Sequence, residues 1–268
     1  MKERKMGVCD SSKTRVVPVF DQLLERDRTG QKWLPKLISL PIGGNRISVK
    51  SNCDFGIEEV VWGDKEKRLD PPVALLSWLI RHLHLSQNTV LPEEENPETT
   101  EKRRRLIEGD FKLVKEALES LRKKPTKKAW FIFEGQTQPD VFISTPSLII
   151  VIEGKRTEEK PTTNTTWMPC RHQMFRHIDC AWEIRGSRQV IGFFIVEGNG
   201  TDLSVPNNWK MFAQNTITEE VVTASLPHRG PIEQQGIASS FAGVTTWQCI
   251  CDKFGIVYGD LPDKAKLK

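Results

Sequence analysis

The sequence predicts an α/β fold with a mixed central sheet, built on an antiparallel hairpin and flanked by helices. Three observations carry this. Residues 140–145 (DVFIST) and 147–155 (SLIIVIEGK) are apolar runs joined through Thr145, Pro146 and Ser147, and two such runs around a tight turn fold back as a hairpin. The run at 148–152 is unbroken, as in a central strand covered on both faces. Segments of helical period lie before and after the hairpin, and a further apolar run, GFFIVEG at 192–198, follows. Helices alternating with strands in this order make an α/β domain.

In chain order, residues 1–96 mix short strand-like pieces (ISVKSN at 47–52, EEVVWG at 58–63) with one apolar helix opened by Pro71 and Pro72. The stretch 88–100 is polar with two prolines and reads as a boundary. This separates an N-terminal region, 1–96, of unassigned role from a domain at 97–268. One long amphipathic helix is expected over 98–124, where Leu106, Phe111, Val114, Leu118 and Leu121 recur near helical spacing. Three strands follow: AWFIFEG at 129–135, then the two arms of the hairpin. A polar loop at 158–166 leads to a helix from about Pro169, then GFFIVEG as a strand. A short helix near 208–214 and a last one at 245–254, capped by Thr245 or Thr246, complete the chain.

Composition excludes some classes. The 268 residues are 38% hydrophobic and 28% charged, as in an ordinary soluble protein. No apolar run reaches the roughly 18 residues of a membrane span, and the charged start lacks the apolar core of a signal peptide. Six scattered cysteines without a CxxC pair read as reduced cytoplasmic thiols. Net charge is only +4, but Arg103, Arg104 and Arg105 run together, and Lys123, Lys124, Lys127 and Lys128 cluster before the hairpin. These are either an electrostatic footprint for nucleic acid or solvated helix ends.

The chemistry concentrates at the hairpin. A two-residue loop at Pro146 and Ser147 pairs Thr145 with Leu148, Ile143 with Ile150 and Asp140 with Glu153. The two carboxylates then face each other with Cβ atoms roughly 5 Å apart, a destabilising arrangement for like charges. A divalent cation between them reverses the sign. Lys155 lies on the same face as Glu153, and Gln138 lies across from it. A salt bridge at a strand end is the plain alternative for Glu153 and Lys155, and Asp140 opposite them tips the balance toward catalysis.

Pro139–Asp140, twelve residues, then Glu153–Gly154–Lys155 resemble the motif of the PD-(D/E)xK nuclease superfamily, the restriction-endonuclease-like fold. The resemblance covers about 98–198. It implies that Asp140, Glu153 and the Gly154 carbonyl hold Mg2+ or Mn2+, which prefer oxygen ligands. The metal would activate a water, and Lys155 would orient or deprotonate that water or neutralise the developing charge. Family members often carry another acid upstream; Glu134 is the first candidate and Glu108 the second. Some place a glutamine and, one turn later, an aromatic or histidine on the following helix. Gln173 and His177 match that spacing and share a face, although a tyrosine is usual where His177 stands. By that resemblance Gln173, His177 and the adjacent Arg176 would contact phosphate or position the metal water, with Gln173 counted among the catalytic residues and His177 and Arg176 at the nucleic acid; Arg156, directly after Lys155, is a further phosphate contact.

These residues together predict a metal-dependent nuclease acting on DNA, with RNA also open. A homodimer or a protein partner bound through the N-terminal region is compatible with the sequence. The competing class is a non-catalytic binding module on an inactivated nuclease fold. Cys170, His172, His177 and Cys180 are zinc-capable, but one helix cannot aim all four at one point. Trp78 and Trp182 read as core, Trp167 as a candidate for base stacking, and Cys249 and Cys251 as helix cysteines.

Overall fold

The computed structural model describes residues 11–63, 65, 67–83, 96–123, 129–162 and 168–264. A π-helical turn, Ser12–Val16, leads into α1 (Val17–Arg26), α2 (Leu34–Leu37), β1 (Ile42–Gly43) and β2 (Glu59–Trp62). Three helices follow, α3 (Val73–His82), α4 (Pro97–Ile107) and α5 (Phe111–Arg122). The hairpin is β3 (Val141–Ser144) and β4 (Leu148–Gly154), succeeded by α6 (Gln173–Ile184) and β5 (Gln189–Val196). Next come α7 (Asn207–Thr216), α8 (Glu219–Ser225), α9 (Pro231–Ser239), β6 (Phe241–Thr246) and α10 (Trp247–Phe254).

The strands form one mixed sheet in the order β1-β6-β5-β4-β3-β2. β3 runs antiparallel to both its neighbours, β2 and β4, whereas β4, β5 and β6 run parallel. Side-chain alternation divides the sheet between two cores. Ile150, Ile152, Ile191, Phe193 and Ile195 face α1 and α10; Ile149, Val151, Val190 and Phe194 face α6 and α7. All of these are fully buried, which is why β4 and β5 read as continuous apolar runs. A third cluster joins α3, α4 and α5 to Phe131, Phe133 and Met168.

Several expectations change. Residues 129–135 form no strand; Phe131 and Phe133 instead cover the α3–α5 helices. The place beside β3 is taken by β2, from the first third of the chain. The whole α3–α5 unit is thus an insertion between two adjacent strands. The single helix expected over 98–124 is two. Gly109 adopts φ 88°, and the Asp110 carboxylate accepts from the Lys112 and Leu113 N–H groups at 3.0 and 3.3 Å, capping α5. Residues 47–52 are not a strand, and β6 was not anticipated. Thr246 caps α10, its Oγ1 accepting from Cys249 N–H at 3.0 Å.

The N-terminal region is built into this sheet. It supplies both edge strands, β1 against β6 and β2 against β3, and α1 and α2 bury Val19, Phe20, Leu23, Leu34 and Leu37 on one face. Among the described residues no helix is long and apolar enough to cross a membrane.

Candidate active site

The hairpin turns as its residues require. Thr145 Oγ1 accepts from the Ser147 and Leu148 N–H groups at 3.2 and 2.9 Å, which closes a tight loop. Ile143 therefore stands opposite Ile150 and Val141 opposite Ile152. One residue further along this register Asp140 meets the end of β4. Its Oδ2 accepts from the Gly154 N–H at 2.7 Å. A side chain at Gly154 has no room: a Cβ would lie 2.8 Å from Trp247 Cζ2 and 2.9 Å from Val16 Cγ2.

Glu153 and Lys155 are both buried, with side chains 5% and 8% exposed. Lys155 Nζ donates to Glu153 Oε1 at 3.0 Å. The other carboxylate oxygen, Oε2, lies 3.0 Å from His177 Nε2, and His177 Nδ1 lies 2.8 Å from Thr137 Oγ1. Burial alone would push the Glu153 carboxyl up, but the His177 hydrogen bond and the Lys155 charge outweigh it and hold it below the usual range. Burial likewise works against the Lys155 ammonium, and the Glu153 carboxylate, with help from Glu158 and Asp140, overrides it and raises its pKa. The backbone is pinned too: Lys155 N–H donates to Ile195 O at 2.8 Å, and Trp247 Nε1–H donates to Lys155 O at 3.1 Å.

No family model, no curated protein and no solved structure matches this chain. The site therefore stands on its own geometry.

That geometry brings together Asp140, Glu153, Gly154 and Lys155, and adds His177 in a role the sequence did not suggest. His177 was expected at the nucleic acid; it is wholly buried between Thr137 and Glu153, with no surface left for a phosphate. Gln173 opens α6, and its Oε1 is buried with no hydrogen-bond partner among the described residues. Glu134 does not stand free at a hairpin mouth. It grips Arg171, Nε to Oε2 at 2.8 Å and Nη2 to Oε1 at 2.9 Å, both groups buried. Arg176 Nε faces the same carboxylate at 3.8 Å. Arg156 donates to the Asp263 carbonyl at 2.5 Å and carboxylate at 3.2 Å. Glu108 is an exposed helix-end acid paired with Arg104.

The arginine run is neutralised locally. Arg104 pairs with Glu101 and Glu108, Arg105 pairs with Asp110, and Arg103 is buried with Nε donating to Trp130 O at 2.7 Å. Lys123 is exposed, while Lys124, Lys127, Lys128 and Trp167 lie outside the described residues. Cys170 is exposed and Cys180 buried, and His172 stacks on Phe175 at 4.6 Å. Among the described residues no three His, Cys, Asp or Glu side chains cluster as a metal-binding group.

Thr137 and Leu69 escaped the sequence reading. Their backbones exchange N–H to carbonyl bonds at 2.9 Å in both directions, an isolated antiparallel bridge. Only the alternation Thr137, Pro139 around Gln138 hinted that this stretch is extended.

Proposed function

We propose that this protein is a divalent-metal-dependent nuclease of the PD-(D/E)xK kind, hydrolysing phosphodiester bonds, with DNA as the leading substrate. The observation that carries the proposal is the convergence of Asp140, Glu153 and Lys155 on one end of a buried strand. The topology is compatible with it: α1, β2, β3, β4, α6 and β5 follow a helix, three strands, helix and strand order on a mixed sheet, the order that the resemblance implies for a restriction-endonuclease-like core.

The donor set suits Mg2+ or Mn2+. Asp140 and Glu153 offer carboxylate oxygens, and each Glu153 oxygen carries one hydrogen bond, which leaves a lone pair on each for a cation. With the Gly154 carbonyl, they make the hard, all-oxygen environment that such ions prefer. When bound, the ion supplies an activated water and screens phosphate charge. The chain's own groups do the rest. Lys155, an ammonium fixed against Glu153, neutralises charge that develops on the phosphate oxygens. The Gly154 N–H holds Asp140 in register with Glu153, so the two acids do not drift apart under their repulsion.

The test is cleavage of supercoiled plasmid, linear duplex and single-stranded DNA with Mg2+ or Mn2+, comparing the intact protein with Lys155→Ala and Asp140→Ala. Cutting that requires metal and falls by about 100-fold or more in both variants, as when a group acting only in the transition state is removed, is the expected result. Cutting that survives in both variants sinks the site; no cutting on any substrate moves the reading to a non-catalytic binding module.

A further inference from the structure

We propose that His177 and Thr137 are positioning residues that hold Glu153 for a divalent cation. This rests on the nuclease reading above and goes one layer deeper into the same site.

A glutamate at the end of a strand has three side-chain torsions, so its carboxylate is fixed only if something fixes it. Lys155 takes one oxygen and His177 Nε2 the other, each at 3.0 Å. To donate to a carboxylate, Nε2 must carry a proton. Nδ1 is then either bare or protonated, and the Thr137 hydroxyl 2.8 Å away satisfies it in both cases, because a hydroxyl both donates and accepts. The ring is 0% exposed, so water does not compete for either nitrogen.

Thr137 is in turn anchored. Its N–H and carbonyl pair with Leu69, itself buried at 3% exposure. The chain of contacts Leu69, Thr137, His177, Glu153 thus runs from the β2–β3 insertion to the acid. Packing alone does not call for it: a buried ionic cluster is seldom more stable than apolar side chains of similar volume. What the cluster achieves is direction. With one hydrogen bond on each oxygen, the remaining lone pairs of Glu153 are aimed, and partners of this kind are worth about 10- to 100-fold in metal affinity.

The experiment is Mn2+ binding to the full chain without DNA, by titration calorimetry and by electron paramagnetic resonance of free Mn2+. Thr137→Val, which keeps shape and loses the hydroxyl, is expected to weaken Mn2+ by about 10-fold or more. Thr137→Ser, which keeps the hydroxyl, is expected to bind as the parent does. His177→Gln, retaining an N–H donor, is expected to bind more tightly than His177→Leu. Nitrogen NMR of the unsubstituted protein needs no variant and is expected to show a protonated Nε2. A bare Nε2, or parent-like Mn2+ binding in both Thr137→Val and His177→Leu, overturns the positioning role while leaving the nuclease reading intact. No Mn2+ binding by the parent protein overturns both.

Discussion

Arg171 has no contact with solvent, and buried acids balance its charge. Glu134 binds it through two hydrogen bonds, Asp179 accepts from Nη2 at 2.8 Å, and Ser225 O accepts at 3.3 Å. An acid in that position is a counter-ion before it is anything else. Removing one partner of a buried pair typically costs about 3–5 kcal/mol, because a charge is left uncompensated. Glu134→Ala is expected to lower the urea stability of the protein by that amount; an unchanged midpoint would show that Arg171 does not depend on it. His172 makes a second prediction. Burial, then the charges of Arg171 and His177, hold its pKa down to about 3, against 6.5 for a free imidazole. Between those values the unfolded chain binds a proton that the folded chain refuses. The stability is therefore complete well above pH 6.5 and is lost as pH falls through it, by roughly 1.4 kcal/mol at pH 5.5. Denaturation at pH 7.5 and 5.5 is expected to show this loss, and His172→Phe to reduce it.

At the scale of elements, the break between α4 and α5 depends on two residues. Gly109 takes the left-handed conformation that ends α4, and Asp110 begins α5 by capping it. Asp110→Ala is expected to cost about 1 kcal/mol in urea denaturation, with the loss of helical circular dichroism confined to a small fraction of the signal. This break was written in the sequence, but the continuing apolar period on either side masked it. The hairpin was fully legible, since Thr145, Pro146 and Ser147 leave one register, and a one-residue slip would turn Asp140 away from Glu153 and Lys155. Residues 129–135 misled for a physical reason: Phe131 and Phe133 have strand-like composition, yet their hydrophobic surface is used by the helices α3, α4 and α5 that precede them. β6 was hidden by Gly243, which sits at φ 106° against Ile42 and Gly44 of the edge segment, a close approach that only the assembled sheet reveals. The acid pair and lysine could be found from spacing, whereas Thr137 could not, because its partner His177 is 40 residues away.

The whole molecule closes on itself through its first sixty residues. β1 and β2 are the two outer strands of the sheet, and the chain leading into β1 carries α1 and α2 across one face. Near the candidate site, Arg15 donates to Glu197 at 3.0 and 3.2 Å and to Pro262 O at 2.8 Å, tying the N-terminal turn to the end of β5 and to the C-terminal segment. Val16 packs on Gly154 itself. A fragment of residues 97–268, the division that composition suggests, keeps the motif but loses all of this. Eight buried apolar side chains go with the first sixty residues: Val16, Val19, Phe20, Leu23, Trp33, Leu34, Leu37 and Ile38. At roughly 1.5–3 kcal/mol each their loss is comparable to the net stability of an entire domain, about 5–15 kcal/mol. The fragment would also expose β3 and β6 as unpaired edges, each lined with apolar side chains. It is therefore expected to be aggregated or unfolded, with no cooperative thermal transition and rapid proteolysis, and to bind no Mn2+. A cooperative, protease-resistant 97–268 fragment would show instead that the sheet is held by its four inner strands, and that the N-terminal segment is a cover on a core that stands without it.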